Sequence, residues 1–241
     1  MKSNNRFEIL IMGSVIAFGI AACGYFIGQT MYNAKVAINT AEAKGLAEKR
    51  VEADLAYWTV EYTVTGKNKD EVPNLYQESE DDQEKIVALL LENGFDEDEI
   101  TPGVIHFSHQ DFRDDDNVLV EERYFLVGSI EVSTKKVRLV SRVRSKLNKL
   151  IAQGLNIRNN APSYHFTELN KIKPVMLKEA TKNARLAANE FASNAGVQVG
   201  GIRSARQGSF IIRDVGENYG DTAKIEKDVR VVTNITFYLT K

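Results

Sequence analysis

Three histidines, a single cysteine and two dense clusters of charge carry the chemistry open to this chain. His106 and His109 lie three positions apart. On a helix that spacing brings two imidazoles to one metal, but on a strand it turns them to opposite faces. His165 is remote in sequence. The run from Asp111 to Asn117 offers oxygens to calcium, yet it lacks the glycine and closing glutamate of an EF-hand loop and reads as a solvated hairpin turn. No serine or histidine occupies a nucleophile-elbow context, and the chain has neither a phosphate loop nor a dinucleotide fingerprint. Gly200-Gly201 and Gly208 fall within or between strands, where they suit bulges or close backbone contact. We therefore expect no catalytic residue, no metal site and no cofactor. An enzyme of unrecognised mechanism would need two facing acids of raised pKa in a pocket.

The second cluster is one-signed. Lys135, Lys136, Arg138, Arg142, Arg144, Lys146 and Lys149 occur with no acid among them. Such a helix suits contact with anionic lipid, with an acidic partner, or with the Glu78 to Glu84 region of a neighbouring subunit. The favoured reading is a solvated face balanced inside its own subunit. Arg203 and Arg206, near Gln207, carry the same ambiguity. Globally, 31 basic residues nearly offset 33 acidic ones, for a net charge of −2. No overall field favours nucleic acid.

The cysteine sits elsewhere. Ile9 to Gly28 is an apolar run of about 20 residues, enough for a helix to cross a hydrocarbon core of roughly 30 Å. Lys2 and Arg6 precede it, opposed only by Glu8. The positive-inside tendency leaves residues 1–8 in the cytoplasm and puts the body outside. The run exceeds the apolar core of a cleavable signal and ends without a small-x-small site, so it reads as an uncleaved signal anchor. Two alternatives stay open. Ile20-Ala21-Ala22-Cys23 resembles a lipobox that would lipidate Cys23, although the apolar run continues past it; the other alternative is a cleaved secretory signal. Gly13, Ala17, Ala21, Gly24 and Gly28 share one helical face, which would let two membrane helices approach closely. With Cys23 the only cysteine, the body is held by packing alone.

The elements that position these residues follow from periodicity. Residues 29–43 read as a juxtamembrane link and a first strand, within 36–44. Val51 to Thr65 reads as a second strand, with Gly45 as the bend between them. Glu78 to Asn93 reads as a helix stopped by Gly94, its Glu80-Asp81-Asp82 opening suited to the positive end of the helix dipole. Ile100 to Phe112 and Val118 to Ser133 read as strands flanking the Asp114-Asp115-Asp116-Asn117 turn. Lys135 to Ala152 reads as a helix, Leu155 to Glu168 as a strand broken by Pro162, and Pro174 to Ala195 as a long helix with an alanine face. Val197 to Val215 and Asp228 to Leu239 close the chain as paired strands. The fold class is α+β: a transmembrane helix, then antiparallel strands covered by about three helices. A helix-strand-strand unit recurs after residue 78 and after residue 173.

From Lys44-Gly45-Leu46-Ala47-Glu48 through Val51 to Trp58, the chain resembles the SIMPL-domain family of bacterial envelope proteins. The likeness continues at Phe166-Thr167-Glu168-Leu169-Asn170-Lys171-Ile172-Lys173-Pro174, through Glu179 to Arg185 and Phe191-Ala192. It ends with Gly200-Gly201-Ile202-Arg203, Ala205-Arg206-Gln207-Gly208 and Val229 to Thr233. A SIMPL domain over residues 44–241 is implied, and Gly24 to Gly28 resembles the anchored branch of that family. The resemblance implies export, an α+β body and assembly into oligomers, in some members ring-like, with oxidative-stress tolerance linked to others. It supplies no catalytic residue. The resulting expectation is a non-enzymatic structural or interaction protein of the bacterial cytoplasmic (inner) membrane. Its body faces the periplasm or exterior, its partners are the bilayer, copies of itself and an envelope protein, and it takes no nucleic acid. The alternative is a ligand- or partner-binding module of the envelope.

Overall fold

The computed structural model describes residues 4–36 and 39–240. Helix α1 (Asn4–Val36) has 33 residues, roughly 50 Å at 1.5 Å per residue. Its hydroxyls turn onto their own backbone. Ser14 Oγ donates to the Leu10 carbonyl at 2.9 Å and Thr30 Oγ1 to the Phe26 carbonyl at 2.8 Å, so these two hydroxyls find their acceptor without water. The helix runs past Gly28 through the expected link and includes Val36, the first residue of the expected first strand. Residues 37 and 38 of that strand lie outside the described residues.

Strand β1 (Thr40–Glu52) passes straight through Gly45, and the bend falls instead at Ala53-Asp54, before β2 (Leu55–Gly66). Helix α2 (Val72–Glu92) starts six residues earlier than periodicity predicts, because Pro73 lies in its first turn, where a missing N–H costs nothing. Glu80-Asp81-Asp82 therefore sits mid-helix rather than at the dipole's positive end. Asp82 is buried and accepts from Lys85 Nζ at 2.8 Å. Gly94, at φ 99°, ends the helix as expected.

The strand predicted over 100–112 is two strands, β3 (Ile100–Pro102) and β4 (His106–Arg113), both paired with β5 (Leu119–Thr134). Ile100 pairs with Val132 and His106 with Val127, so the register moves by one residue across Gly103 to Ile105, as a bulge requires. The tip is the anticipated turn: Asp114 Oδ1 accepts from the N–H groups of Asp116 and Val118, and Asn117 takes φ 61°. Helices α3 (Val137–Arg144) and α4 (Asn148–Ala152) follow. Strands β6 (Ile157–Asn159) and β7 (Ser163–His165) lie either side of Pro162. Helix α5 (Leu169–Asn194), β8 (Gln198–Gln207), β9 (Ile211–Asp214) and β10 (Glu226–Thr240) complete an α+β chain with antiparallel sheets.

The contacts divide the chain into two compact units. One comprises residues 48–174 and 210–230. Here β5 lies between β2 and β4, and α2 packs on both β2 and β5. Trp58, Val60, Tyr62, Ile86, Leu90, Ile130, Val140 and Leu147 form its core. Tyr62 pairs with Gly128, and any side chain at Gly128 would collide with the tyrosine ring. The other unit comprises 1–47, 175–209 and 231–241, and here β10 lies between β1 and β8. Burial at every fourth residue along α5 selects Met176, Ala180, Ala184, Ala188 and Ala192, and Ala184 and Ala188 pack with Ala43, Ile235 and Phe237. A Cβ on Gly45 would overlap the Ala180 carbonyl oxygen and lie 2.6 Å from Ala184 N. Gly45 is thus a close-packing residue, not a bend. Each unit carries the same order, strand–helix–strand–strand with the last strand central, which is the recurrence glimpsed in the sequence.

Candidate functional site

The basic segment is built on Val137, Val140, Val143, Leu147 and Leu150, all buried. Their spacing forces the intervening lysines and arginines outward. The single helix expected over 135–152 is interrupted at Ser145–Leu147. Two side chains explain this. Ser145 Oγ donates to the Arg142 carbonyl at 3.0 Å, and Asn159 Nδ2 donates to the Arg144 carbonyl at 2.9 Å. Both take acceptors that a continuous helix would use for its own N–H groups. Asn159 is a hub. Its Oδ1 also accepts from Trp58 Nε1 at 3.2 Å and Arg144 Nε at 3.3 Å.

Four of the seven predicted cations are engaged within their own unit. Lys136 Nζ reaches Asp96 at 2.6 Å, Glu99 at 2.9 Å and the Gly94 carbonyl at 2.9 Å. Arg138 pairs with Glu52 at 2.5 Å. Arg144 binds Asn159, and Lys146 donates to Asn93 Oδ1 at 2.5 Å. Glu99 shows the electrostatic result. Burial alone would raise its carboxyl pKa, but the Thr134 hydroxyl, the Asp96 N–H and the Lys136 ammonium together hold it below the usual carboxylate range. Lys135, Arg142 and Lys149 are exposed and have no acidic partner among the described residues.

Beside α3 lies a groove of about 540 Å³, lined by Ser141, Arg144, Pro162, Tyr164, Thr222 and Ile225. A shallower depression bordered by Arg138, Arg142 and Ile225 adjoins it. Burial pushes the Tyr164 phenol pKa up, with the Arg144 charge opposing. The groove offers one guanidinium, hydroxyls and apolar walls, a mixture of the kind that lines small-molecule sites.

Sequence spacing separates His106 from His109, and alternation along β4 does turn them to opposite faces. What spacing alone did not reveal is a neighbour on the next strand. His109, Asp111 and Glu122 bring an imidazole nitrogen and two carboxylate oxygens within 4.8 Å of one another. His165 joins no such group; its Nε2 lies 3.1 Å from Ser163 Oγ.

Comparison with known families gives one match, over residues 42–237: SIMPL, described as a protein of unknown function (DUF541). The chain belongs to the SIMPL family. No curated protein matches it. The SIMPL match begins on β1 and ends on β10, leaving α1 outside. The stretches that carried the resemblance have structural duties. Thr167 and Glu168 meet the Asp54 carboxylate ahead of α5, the alanines are its buried face, and Gly45 admits that face. Pro174 does not open α5, which begins at Leu169 and contains it. Arg203 and Arg206 are exposed on β8.

Outside the SIMPL region, α1 is one helix long and apolar enough to cross a membrane, over Phe7–Ala34, a test that a signal sequence also passes. Gly13, Ala17, Ala21, Gly24 and Gly28 fall within about 80° of arc at 100° per residue, and all five are exposed, as is Cys23.

Proposed function

We propose that this SIMPL protein is tethered by α1 in the bacterial cytoplasmic membrane, its body outside, and serves a non-enzymatic structural or interaction role through self-assembly. The carrying observation is the surface of α1. Phe7, Leu10, Ile16, Phe18, Ile20, Tyr25, Phe26 and Met31 each leave more than half of their surface uncovered. An apolar surface of that extent on a 33-residue helix is stable only in lipid or against another apolar helix. Lys2 and Arg6 favour a cytoplasmic start. The small-residue face supports close pairing of two such helices. A link to envelope or oxidative stress rests on the family resemblance alone.

The test has two arms on the full-length chain. In bacteria, an uncleaved anchor keeps the protein in the membrane after a carbonate wash, and protease added to spheroplasts digests the body. Release by the wash, or protection of the body, refutes the topology. Light scattering in detergent should give one defined multimer; a monomer at high concentration ends the assembly reading.

The groove beside Arg144 favours a second reading, a binding module for an envelope ligand. Retention of a selective small anionic ligand, lost on Arg144→Ala, would support it.

A further inference from the structure

We propose that His109, Asp111 and Glu122 form a binding site for a divalent transition cation, with Zn²⁺ the best match. The site is a product of strand pairing. Asp111 lies directly opposite Glu122 and His109 directly opposite Tyr124 in the antiparallel β4–β5 register. Alternation along each strand puts all four side chains on one face.

The donor atoms converge. His109 Nε2 lies 3.0 Å from Asp111 Oδ1 and 3.9 Å from Glu122 Oε1. Tetrahedral ligands at about 2.0–2.2 Å from zinc stand roughly 3.3–3.5 Å apart. Both measured separations are within a small side-chain rotation of that edge. The convergence is also enforced. Arg113 Nη2 holds Asp111 Oδ2 at 3.4 Å, and the Tyr124 hydroxyl donates to Glu122 Oε2 at 2.9 Å. Each carboxylate thus has one oxygen occupied by a neighbour and turns the other towards the imidazole. Tyr124 is 4% exposed, and its ring stacks on that of His109 with centroids 4.7 Å apart. It is a positioning residue that touches two of the three ligands, the arrangement by which outer partners orient a metal site.

The donor set selects the ion class. Calcium and magnesium prefer all-oxygen cages, whereas one imidazole with two carboxylates suits zinc and its first-row neighbours. His109 and Asp111 are exposed, so three protein ligands leave a coordination position open to water or to a group from another molecule. The ion would also tie two adjacent strands together.

The metal-stripped, full-length chain in detergent would be titrated with Zn²⁺ alone by calorimetry at neutral pH. The expected result is a single Zn²⁺ per chain. Affinity should fall by about 100-fold or more in His109→Ala and Glu122→Gln, and by about tenfold to 100-fold in Tyr124→Phe. It should be unchanged in His165→Ala. Co²⁺ should give tetrahedral ligand-field absorption in the wild type and lose it in His109→Ala, with circular dichroism confirming the fold of each variant. Absence of Zn²⁺ binding, or equal binding by the wild type and a folded His109→Ala, overturns the site and leaves only an imidazole–carboxylate contact.

Discussion

Lys227 and Asp214 face each other across the β9–β10 pair with both side chains cut off from water. The carboxylate also accepts from Ala223 N at 2.8 Å, which pins the loop between the strands. Removing the lysine leaves an uncompensated buried charge, so Lys227→Met should destabilise by about 3–5 kcal/mol. Adding Asp214→Asn should recover much of this, since the amide oxygen still accepts from Ala223. Urea unfolding of both variants checks the prediction; a double variant no better than the single one contradicts it.

The same pair sets an acid dependence. Burial alone would raise the Asp214 pKa, but the Lys227 ammonium and the N–H groups of Ala223 and Lys224 outweigh it and hold the carboxyl below its ordinary value. A carboxyl with a lower pKa folded than unfolded contributes stability that is fully present above the unfolded value, about 3.9. That contribution is lost as pH falls through the folded value. Wild-type stability should therefore fall more steeply than that of Asp214→Asn as pH is lowered below about 4. Parallel curves would exclude the coupling.

Gly45→Ala tests the close approach of β1 to α5. Its Cβ meets backbone atoms of Ala180 and Ala184 that no rotamer change can move, whereas Gly201 has open space around it. Gly45→Ala should cost about 1–3 kcal/mol as an overpacked site. Gly201→Ala should stay within about 1 kcal/mol of the wild type, because an exposed strand position demands little. Comparable unfolding midpoints for the two would remove the packing role from Gly45.

What local sequence revealed, and what it hid, divides along range of interaction. Alternation placed β5 and the part of β2 from Leu55 onward, and helical spacing placed the buried valines of α3 and the buried alanines of α5, though Phe191, read onto that same face, is 64% exposed; those patterns reflect which side chains meet the core. The Asp114–Asn117 turn was legible for a related reason: its hydrogen bonds close within five residues. Errors arose where a partner lies far along the chain. Gly45 looked like a bend because nothing nearby announces the alanine face it packs on. Pro174 looked like a helix start because the true start is supplied by Asp54, more than a hundred residues earlier. The break after Arg144 comes from Asn159 on β6. At the metal-ligand cluster, His109 and Asp111 were visible as residue types, but Glu122 joins them only through the β4–β5 register.

The cations of the 135–149 segment should separate into two groups. Replacing Lys135, Arg142 and Lys149 together by alanine should change stability by no more than about 0.5 kcal/mol, as for free surface charges. Lys136→Ala should destabilise more, because it releases Asp96, Glu99 and the Gly94 carbonyl. Losing the ammonium lets the Glu99 pKa rise. The gap to the wild type should therefore be widest near neutral pH and shrink as acid protonates Glu99 in both proteins. A gap independent of pH would mean that Lys136 acts by packing alone.

Asp54 provides the sharpest single-residue test of how α5 begins. Its carboxylate accepts from Thr167 N, Thr167 Oγ1 and Glu168 N at 2.9, 2.9 and 3.0 Å, just ahead of Leu169. These donors lie just ahead of the helix, and here a distant turn residue fixes the chain where it enters α5. Asp54→Ala should cost about 1–2 kcal/mol, the upper part of the range for losing an N-terminal cap. Asp54→Asn should cost less, since one amide oxygen still accepts but the charge and the second oxygen are gone. Hydrogen exchange reads the site directly. The amides of Thr167 and Glu168 should lose protection in Asp54→Ala while those deeper in α5 keep theirs. Unchanged protection at both would show that the helix start is held by something other than Asp54.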